Sequence, residues 1–108
     1  MTKKEAAEMR VAIIDDIDIY RQEIRDYLTH YLFENCSGEK PDIKDFASGE
    51  DFLAQFKPDT YDIIFIDQYM DGLSGIKTAR KIREQDTFVA LIFVTTSTDH
   101  AIDSYDVR

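Results

Sequence analysis

Three aspartates and a threonine stand at the ends of apolar segments, where their side chains could share one ligand. Asp15 and Asp16 directly follow the run VAII, Asp67 ends the run YDIIFID, and Thr95 ends the run ALIFVT. Adjacent carboxylates repel each other by roughly 4 kcal/mol at about 4 Å and an effective dielectric constant near 20, so such a pair usually has a cation beside it. Carboxylate and hydroxyl oxygens, with no Cys or His directly beside them, favour Mg²⁺, or Mn²⁺ in its place, over Zn²⁺. The residue types therefore predict a site for a divalent cation.

The same apolar segments predict the strands that would bring these side chains together. Near-continuous apolar runs at 10–15, 61–67 and 90–95 are typical of buried parallel strands, and the alternating segment 42–47 is typical of an edge strand. The strands predicted at 10–15 and 61–67, which are the first and third in chain order, are expected to be neighbours at the sheet centre. Because ligands collect at the carboxyl ends of parallel strands, we expect the polar side chains at one edge of the sheet.

Helical periodicity fills the intervals between the predicted strands. The pattern predicts helices over 18–34, after the capping residue Ser48, over 74–85, and from Ser97 or Thr98 onward. In the first helix, Tyr27 and Tyr31 fall on the apolar face and are expected in the core. In the third helix, Ile76 is expected on the packed face. The alternation of strands and helices predicts an α/β fold with a doubly wound parallel sheet and right-handed crossovers.

Composition limits the classes of partner and compartment. The chain has 108 residues, 44% of them hydrophobic, which suits one compact domain, and its formal net charge of -9 favours cations and disfavours direct contact with nucleic acid or an anionic membrane. The single cysteine, Cys36, excludes an internal disulfide framework and suits a reducing compartment. No apolar run approaches the roughly 20 residues that span a bilayer, and the N-terminus lacks a secretory signal, so we expect a cytoplasmic protein. Residues 1–8 are expected to be a polar extension that precedes a domain over 9–108.

Together these residues resemble the receiver domain of two-component response regulators, which takes a phosphoryl group from a histidine kinase. The acidic pair matches at Asp15 and Asp16, the phosphoacceptor matches at Asp67 inside IDQYMDGLSG, and the hydroxyl residue matches at Thr95 inside IFVTTS. The segment FVTTSTDHAIDSYDV most resembles receivers attached to LytTR-type DNA-binding domains. The one departure within the motif is Asp71, which stands where the family has proline.

The resemblance implies a role for each site residue. Asp16 and Asp67 would bind Mg²⁺ directly, the backbone carbonyl of Tyr69 would complete the protein ligands, and Asp15 would act largely through a water. Asp67 would accept the phosphoryl group from a sensor histidine kinase, and Thr95 would hydrogen-bond a phosphoryl oxygen and shift the conformation of the domain. The protein would then be a phosphoacceptor signalling domain that controls transcription and not a turnover enzyme, with slow self-dephosphorylation as an added activity.

The end of the sequence departs from the family. Receivers of this flavodoxin-like fold continue with a fifth strand that ends in a lysine and with a fifth helix, whereas no lysine follows Lys81 in this chain. The sequence therefore predicts the strand order 2-1-3-4, with the fifth strand and helix missing. It also predicts that the segment ALIFVT forms an exposed edge through which the chain self-associates.

Two other functions remain open at this point. One is a receiver-like module that docks partner proteins without phosphorylation. The other is a Mg²⁺-dependent hydrolase of the dehalogenase type, which also uses an aspartate nucleophile after a strand. Such hydrolases need a second acid two residues after the nucleophile, and Tyr69 occupies that position here.

Overall fold

A computed structural model describes the backbone of residues 9–35, 41–70, 72–96 and 102–107, and the side chains of these residues except 33, 35, 95, 96 and 102–107. Within these ranges the chain forms strands and helices that alternate as far as the fourth strand. The strands are β1 (Arg10–Ile14), β2 (Asp42–Phe46), β3 (Ile63–Asp67), β4 (Ala90–Thr96) and β5 (Ile102–Val107). The helices are α1 (Asp18–Asn35), α2 (Gly49–Gln55) and α3 (Gly75–Gln85).

The sheet has the order β2-β1-β3-β4-β5, and its first four strands are parallel. The predicted order 2-1-3-4 is therefore confirmed, with β1 and β3 side by side at the centre. Each of these two strands is a continuous apolar run because both of its faces are covered. The register pairs Ile14 of β1 with Ile66 of β3, so the two strands end at the same level.

Helices cover both faces of the sheet, as the doubly wound prediction requires. On one face α2 and α3 pack against the central strands, and the core there contains Phe52 from α2 and Ile82 from α3. On the other face Ile24 of α1 packs against Val11 and Ile13 of β1. Within the described part of the chain, no helix is long and apolar enough to cross a membrane.

Serine caps fix the starts of the two shorter helices. The Ser48 hydroxyl accepts the Asp51 N–H at 3.0 Å at the start of α2, as the capping-box pattern predicts. The Ser74 hydroxyl accepts the Lys77 N–H at 3.2 Å at the start of α3. Both helices therefore begin at the sheet edge where the strands end, beside the predicted site.

The structure corrects the prediction for the C-terminal region, since the fifth strand that the sequence was expected to lack is present as β5. A fourth helix from Ser97 or Thr98 was expected, but residues 102–107 form a strand that pairs antiparallel with β4, opposing Tyr105 to Phe93. The expectation that ALIFVT is an exposed edge is wrong for the same reason, and the premise for self-association through β4 is removed. An unpaired strand edge presents a full row of backbone donors and acceptors, and the β-branched and aromatic residues of IDSYDV suit the pairing that satisfies them.

Two expectations about buried helix residues are also wrong. Tyr27 and Tyr31 are 66% and 51% exposed on α1, where their rings stack on each other with centroids 6.2 Å apart. Ile76, in the first turn of α3, is exposed rather than packed on the sheet. Periodicity placed all three beside true core residues such as Ile24 and Ile82, but it does not fix how wide the buried stripe is.

The predicted extension over residues 1–8, Cys36, Asp71 and the Thr95 hydroxyl lie outside the described parts of the chain.

Candidate metal and phosphoacceptor site

Neighbouring strands deliver the three aspartates to one point at the carboxyl edge of the sheet. Asp15 and Asp16 follow the last residue of β1, and Asp67 is the last residue of β3. One carboxylate oxygen of each lies within 4.8 Å of the others. The prediction that these side chains meet in space is confirmed by this geometry.

The three aspartates of the cluster are largely buried at the edge of the sheet. Asp15 is fully buried and Asp67 is 5% exposed, whereas Asp16 is half-buried. One Asp15 oxygen, Oδ1, accepts the Ile17 N–H at 2.9 Å, while Oδ2 is buried without a hydrogen-bond partner. Since a buried carboxylate oxygen without a partner is costly, it indicates a missing positively charged or proton-donating ligand.

Burial and mutual repulsion disfavour charge on the carboxylates. Burial, with smaller contributions from Asp67 and Asp16, raises the pKa of Asp15 from 3.8 to about 7, although the Ile17 N–H and Arg21 oppose the change. Burial also raises the pKa of Asp67, helped by the charge of Asp16 and opposed by the backbone N–H of Tyr69. A divalent cation would reverse this by favouring the ionised forms of all three.

The donor set fits such a cation. Three carboxylates with oxygens within 4.8 Å of one another supply hard oxygen ligands, and one of the three residues, Asp15, has a buried oxygen without a hydrogen-bond partner. These features suit Mg²⁺ or Mn²⁺, which prefer oxygen ligands and retain several waters.

Arg21 of α1 contacts the backbone of the acidic pair. The Arg21 guanidinium donates to the backbone carbonyl of Asp15 at 2.7 Å and to the Asp18 carboxylate at 3.1 Å. It also lies 3.8 Å from the Asp45 carboxylate of β2. Arg21 therefore fixes the backbone after β1 while its charge remains paired with acids outside the cluster.

The loop after β3 turns sharply beside Asp67. Gly75 begins α3 so close to this strand that a Cβ atom there would collide with the carbonyl oxygen of Asp67. Gly72 has a φ of +76°, a left-handed conformation that glycine adopts without strain. Tyr69 lies in this loop with its side chain 75% exposed, and its N–H donates to Asp67 Oδ1 at 3.3 Å. The two glycines thus let the loop fold back over the strand end.

Comparison with known proteins decides the family. Residues 11–107 match the family model described as the response regulator receiver domain. The chain belongs to this family. The hydrolase alternative is not supported, and the acidic cluster lies at the site where the resemblance placed a receiver's metal and phosphoacceptor.

Curated relatives of this receiver include transcriptional regulatory proteins. It is 29% identical over 99 residues to the sensory transduction protein LytR of Staphylococcus haemolyticus, a match that covers 92% of this chain and 36% of that protein. It is 27% identical over 100 residues to the transcriptional regulatory protein LytR of Staphylococcus aureus strain N315, covering 93% and 38%. The receiver thus spans little more than a third of the length of these relatives.

Solved structures share the fold. A response regulator receiver domain (CheY-like) from Methylobacillus flagellatus superimposes with a TM-score of 0.68 at 16% identity, covering 88% of this chain and 75% of that one. A crystal structure of the histidine kinase ThkA in complex with the response regulator TrrA matches with a TM-score of 0.65 at 26% identity, covering 81% and 68%.

The remaining predicted site residue, Thr95, is placed by the backbone alone. Val94 of β4 pairs with Asp67, so Thr95 follows one residue beyond the level of Asp67. Its backbone belongs to β4 at the same edge of the sheet as the aspartates. The role of its hydroxyl stays a prediction.

Sequence reasoning missed two residues of this receiver that hold the site. Arg21 sits on the amphipathic helix α1, where a basic residue indicates a solvated face and nothing local points to the Asp15 carbonyl. Glu50 follows the cap of α2, where acids are common because they complement the helix dipole. In the structure Glu50 instead accepts the Leu73 N–H from the loop after β3, at 3.0 Å.

Proposed function

We propose that this receiver accepts a phosphoryl group on Asp67 from a sensor histidine kinase, with Mg²⁺ as cofactor. The observation that carries the proposal is the meeting of three carboxylate oxygens within 4.8 Å, one of them on the residue that ends β3. Asp16, Asp67 and the Tyr69 carbonyl would ligate the ion, and Asp15 would act largely through a water.

In the proposed transfer, Asp67 acts as the nucleophile. An Asp67 carboxylate oxygen forms the bond to phosphorus as the bond from phosphorus to the donor nitrogen breaks, and the donor histidine leaves with the electron pair. When bound by these residues, the ion would reduce the repulsion between the anionic nucleophile and the anionic phosphoryl group. Asp67 is only 5% exposed, so little water reaches its carboxylate to compete with the incoming phosphoryl group.

Phosphorylation would then change the conformation of the domain through Thr95 of β4. The Thr95 hydroxyl would hydrogen-bond a phosphoryl oxygen, and the resulting movement would shift an equilibrium between two surface conformations. The transcriptional regulatory protein LytR among the relatives supports a transcription regulator as the whole protein. We propose a DNA-binding output and a cytoplasmic location to go with that role. The complex of ThkA with TrrA supports a histidine kinase as the donor.

The test is incubation with acetyl phosphate and MgCl₂, followed by intact-mass measurement. We expect a mass increase of one phosphoryl group in the wild-type chain and none in Asp67→Asn. The matched control is Asp18→Asn, which removes an exposed carboxylate near the site but outside the cluster. Uptake that persists in Asp67→Asn would refute the assignment of the phosphoacceptor.

Magnesium binding should be measured separately by calorimetry. The chain has no lysine after Lys81 to pair with the phosphoryl group, so phosphoryl uptake alone does not test the metal site. Binding of Mg²⁺ without phosphoryl uptake would support the alternative of a docking module that uses the same fold. Absence of both would refute the metal site.

A further inference from the structure

Glu50 reaches from α2 to the loop that carries the expected backbone ligand. Its Oε2 accepts the Leu73 N–H at 3.0 Å. The neighbouring Gly72 comes so close that a Cβ atom there would lie 2.7 Å from the same oxygen. The Glu50 carboxylate therefore contacts the loop backbone, although the residue as a whole is exposed.

The hydrogen bond from Leu73 to Glu50 fixes a part of the loop that lies between the contacts at the two ends of the loop. At the start of the loop the Gln68 N–H donates to the Val94 carbonyl of β4 at 3.2 Å. At its end Ser74 caps α3. Tyr69 lies between the Gln68 anchor and the Glu50 anchor at Leu73, so fixing Leu73 shortens the segment that can move around the Tyr69 carbonyl.

We propose that Glu50 is a positioning residue that holds the loop after β3 in the conformation required for the Tyr69 carbonyl to bind the ion. The inference rests on the proposed metal site and extends it to a residue on a different helix. A loop ordered before the ion arrives does not lose conformational freedom when the ion binds, so the affinity is higher. The hydrogen bond to Leu73, not the charge of Glu50, is the operative contact.

Two substitutions separate the hydrogen bond from the charge. Glu50→Gln removes the charge but keeps an acceptor oxygen at the same reach. Glu50→Asp keeps the charge but withdraws the oxygen by one methylene, beyond reach of the Leu73 N–H. Glu50 is exposed and both replacements are tolerated in a first helical turn, so both variants are expected to fold. The matched control Asp51→Asn removes one charge from the next residue of α2.

The measurement is the Kd for Mg²⁺ by calorimetry, with thermal melting to verify folding. We expect Glu50→Asp to weaken binding by about tenfold, a loss typical of residues that orient metal ligands, while Glu50→Gln and Asp51→Asn stay near the wild-type value. In the absence of metal, amide hydrogen exchange at Leu73 should be faster in Glu50→Asp and unchanged in Glu50→Gln.

The outcomes distinguish this inference from the proposed function. Equal affinity in Glu50→Asp and the wild-type chain would overturn the positioning role and leave the metal site intact. Loss in Glu50→Gln without loss in Glu50→Asp would show that charge acts instead, and would also overturn it. A wild-type chain that does not bind Mg²⁺ would overturn the metal site and the inference together.

Discussion

Replacing Asp15 by asparagine is expected to stabilise the metal-free protein at neutral and higher pH. The substitution keeps the shape of the side chain and an oxygen that can accept the Ile17 N–H, but it removes a fully buried carboxylate whose second oxygen has no partner. Most substitutions of buried residues destabilise a protein, so the expected sign is diagnostic.

The magnitude follows from the pKa of Asp15, which burial raises from 3.8 to about 7. Below pH 3.8 both the folded and the unfolded chain hold the proton, and the carboxyl group contributes no penalty. As the pH rises, the unfolded chain ionises first, so the free energy of unfolding falls until the folded form ionises near pH 7. This pKa change corresponds to a loss of about 4 kcal/mol at pH 8, and Asp15→Asn should recover up to that amount.

The assay is urea unfolding of the wild-type chain and Asp15→Asn at pH 5 and pH 8, in EDTA and in MgCl₂. The advantage of the variant in EDTA should be larger at pH 8 than at pH 5. Magnesium should restore stability to the wild-type chain at pH 8 by binding the folded state, and should do less for the variant. A variant in EDTA that is no more stable than the wild-type chain at pH 8 would refute the reasoning about the buried charge.

Three further perturbations test the fold and the site. Phe52→Ala empties a fully buried position between aromatic neighbours and should cost about 3 to 5 kcal/mol in urea unfolding; a cost below about 1 kcal/mol would contradict the described core. Gly75→Ala forces a Cβ atom against the Asp67 carbonyl and should weaken Mg²⁺ binding in calorimetry, and an unchanged Kd would show that the strand end tolerates the shift. A chain ending at Thr96 loses β5 and leaves one edge of β4 unpaired, so light scattering should show concentration-dependent aggregation that the intact chain lacks; equal behaviour of the two chains would argue against the pairing.

Local pattern was sufficient for the parallel part of the sheet. The segments predicted at 10–15 and 90–95 correspond to β1 and β4 within one residue, because buried strands with both faces covered are read from continuous apolar runs. β5 could not be predicted in this way. Its segment, IDSYDV, becomes a strand by pairing with an edge that exists only after β4 has joined the sheet.

The candidate site likewise has a part that the sequence predicts and a part that it does not. Residue type and position at a strand end were enough to predict the meeting of Asp15, Asp16 and Asp67, because topology brings neighbouring strand ends together. The supporting contacts of Arg21 and Glu50 were not predictable, since each joins residues from separate elements through a backbone group. Backbone carbonyls and N–H groups are present at every position, so no sequence pattern marks the one that a side chain will bind.

The antiparallel direction of β5 determines where the chain leaves the sheet. In the register, Val107 lies opposite Leu91, near the beginning of β4, whereas Thr95, nearer the carboxyl edge, lies opposite Asp103. A fluorophore or surface tether attached after Val107 would therefore emerge at the opposite rim from the aspartates. Immobilised in that orientation, the molecule would keep its carboxylate rim open to the kinase proposed above.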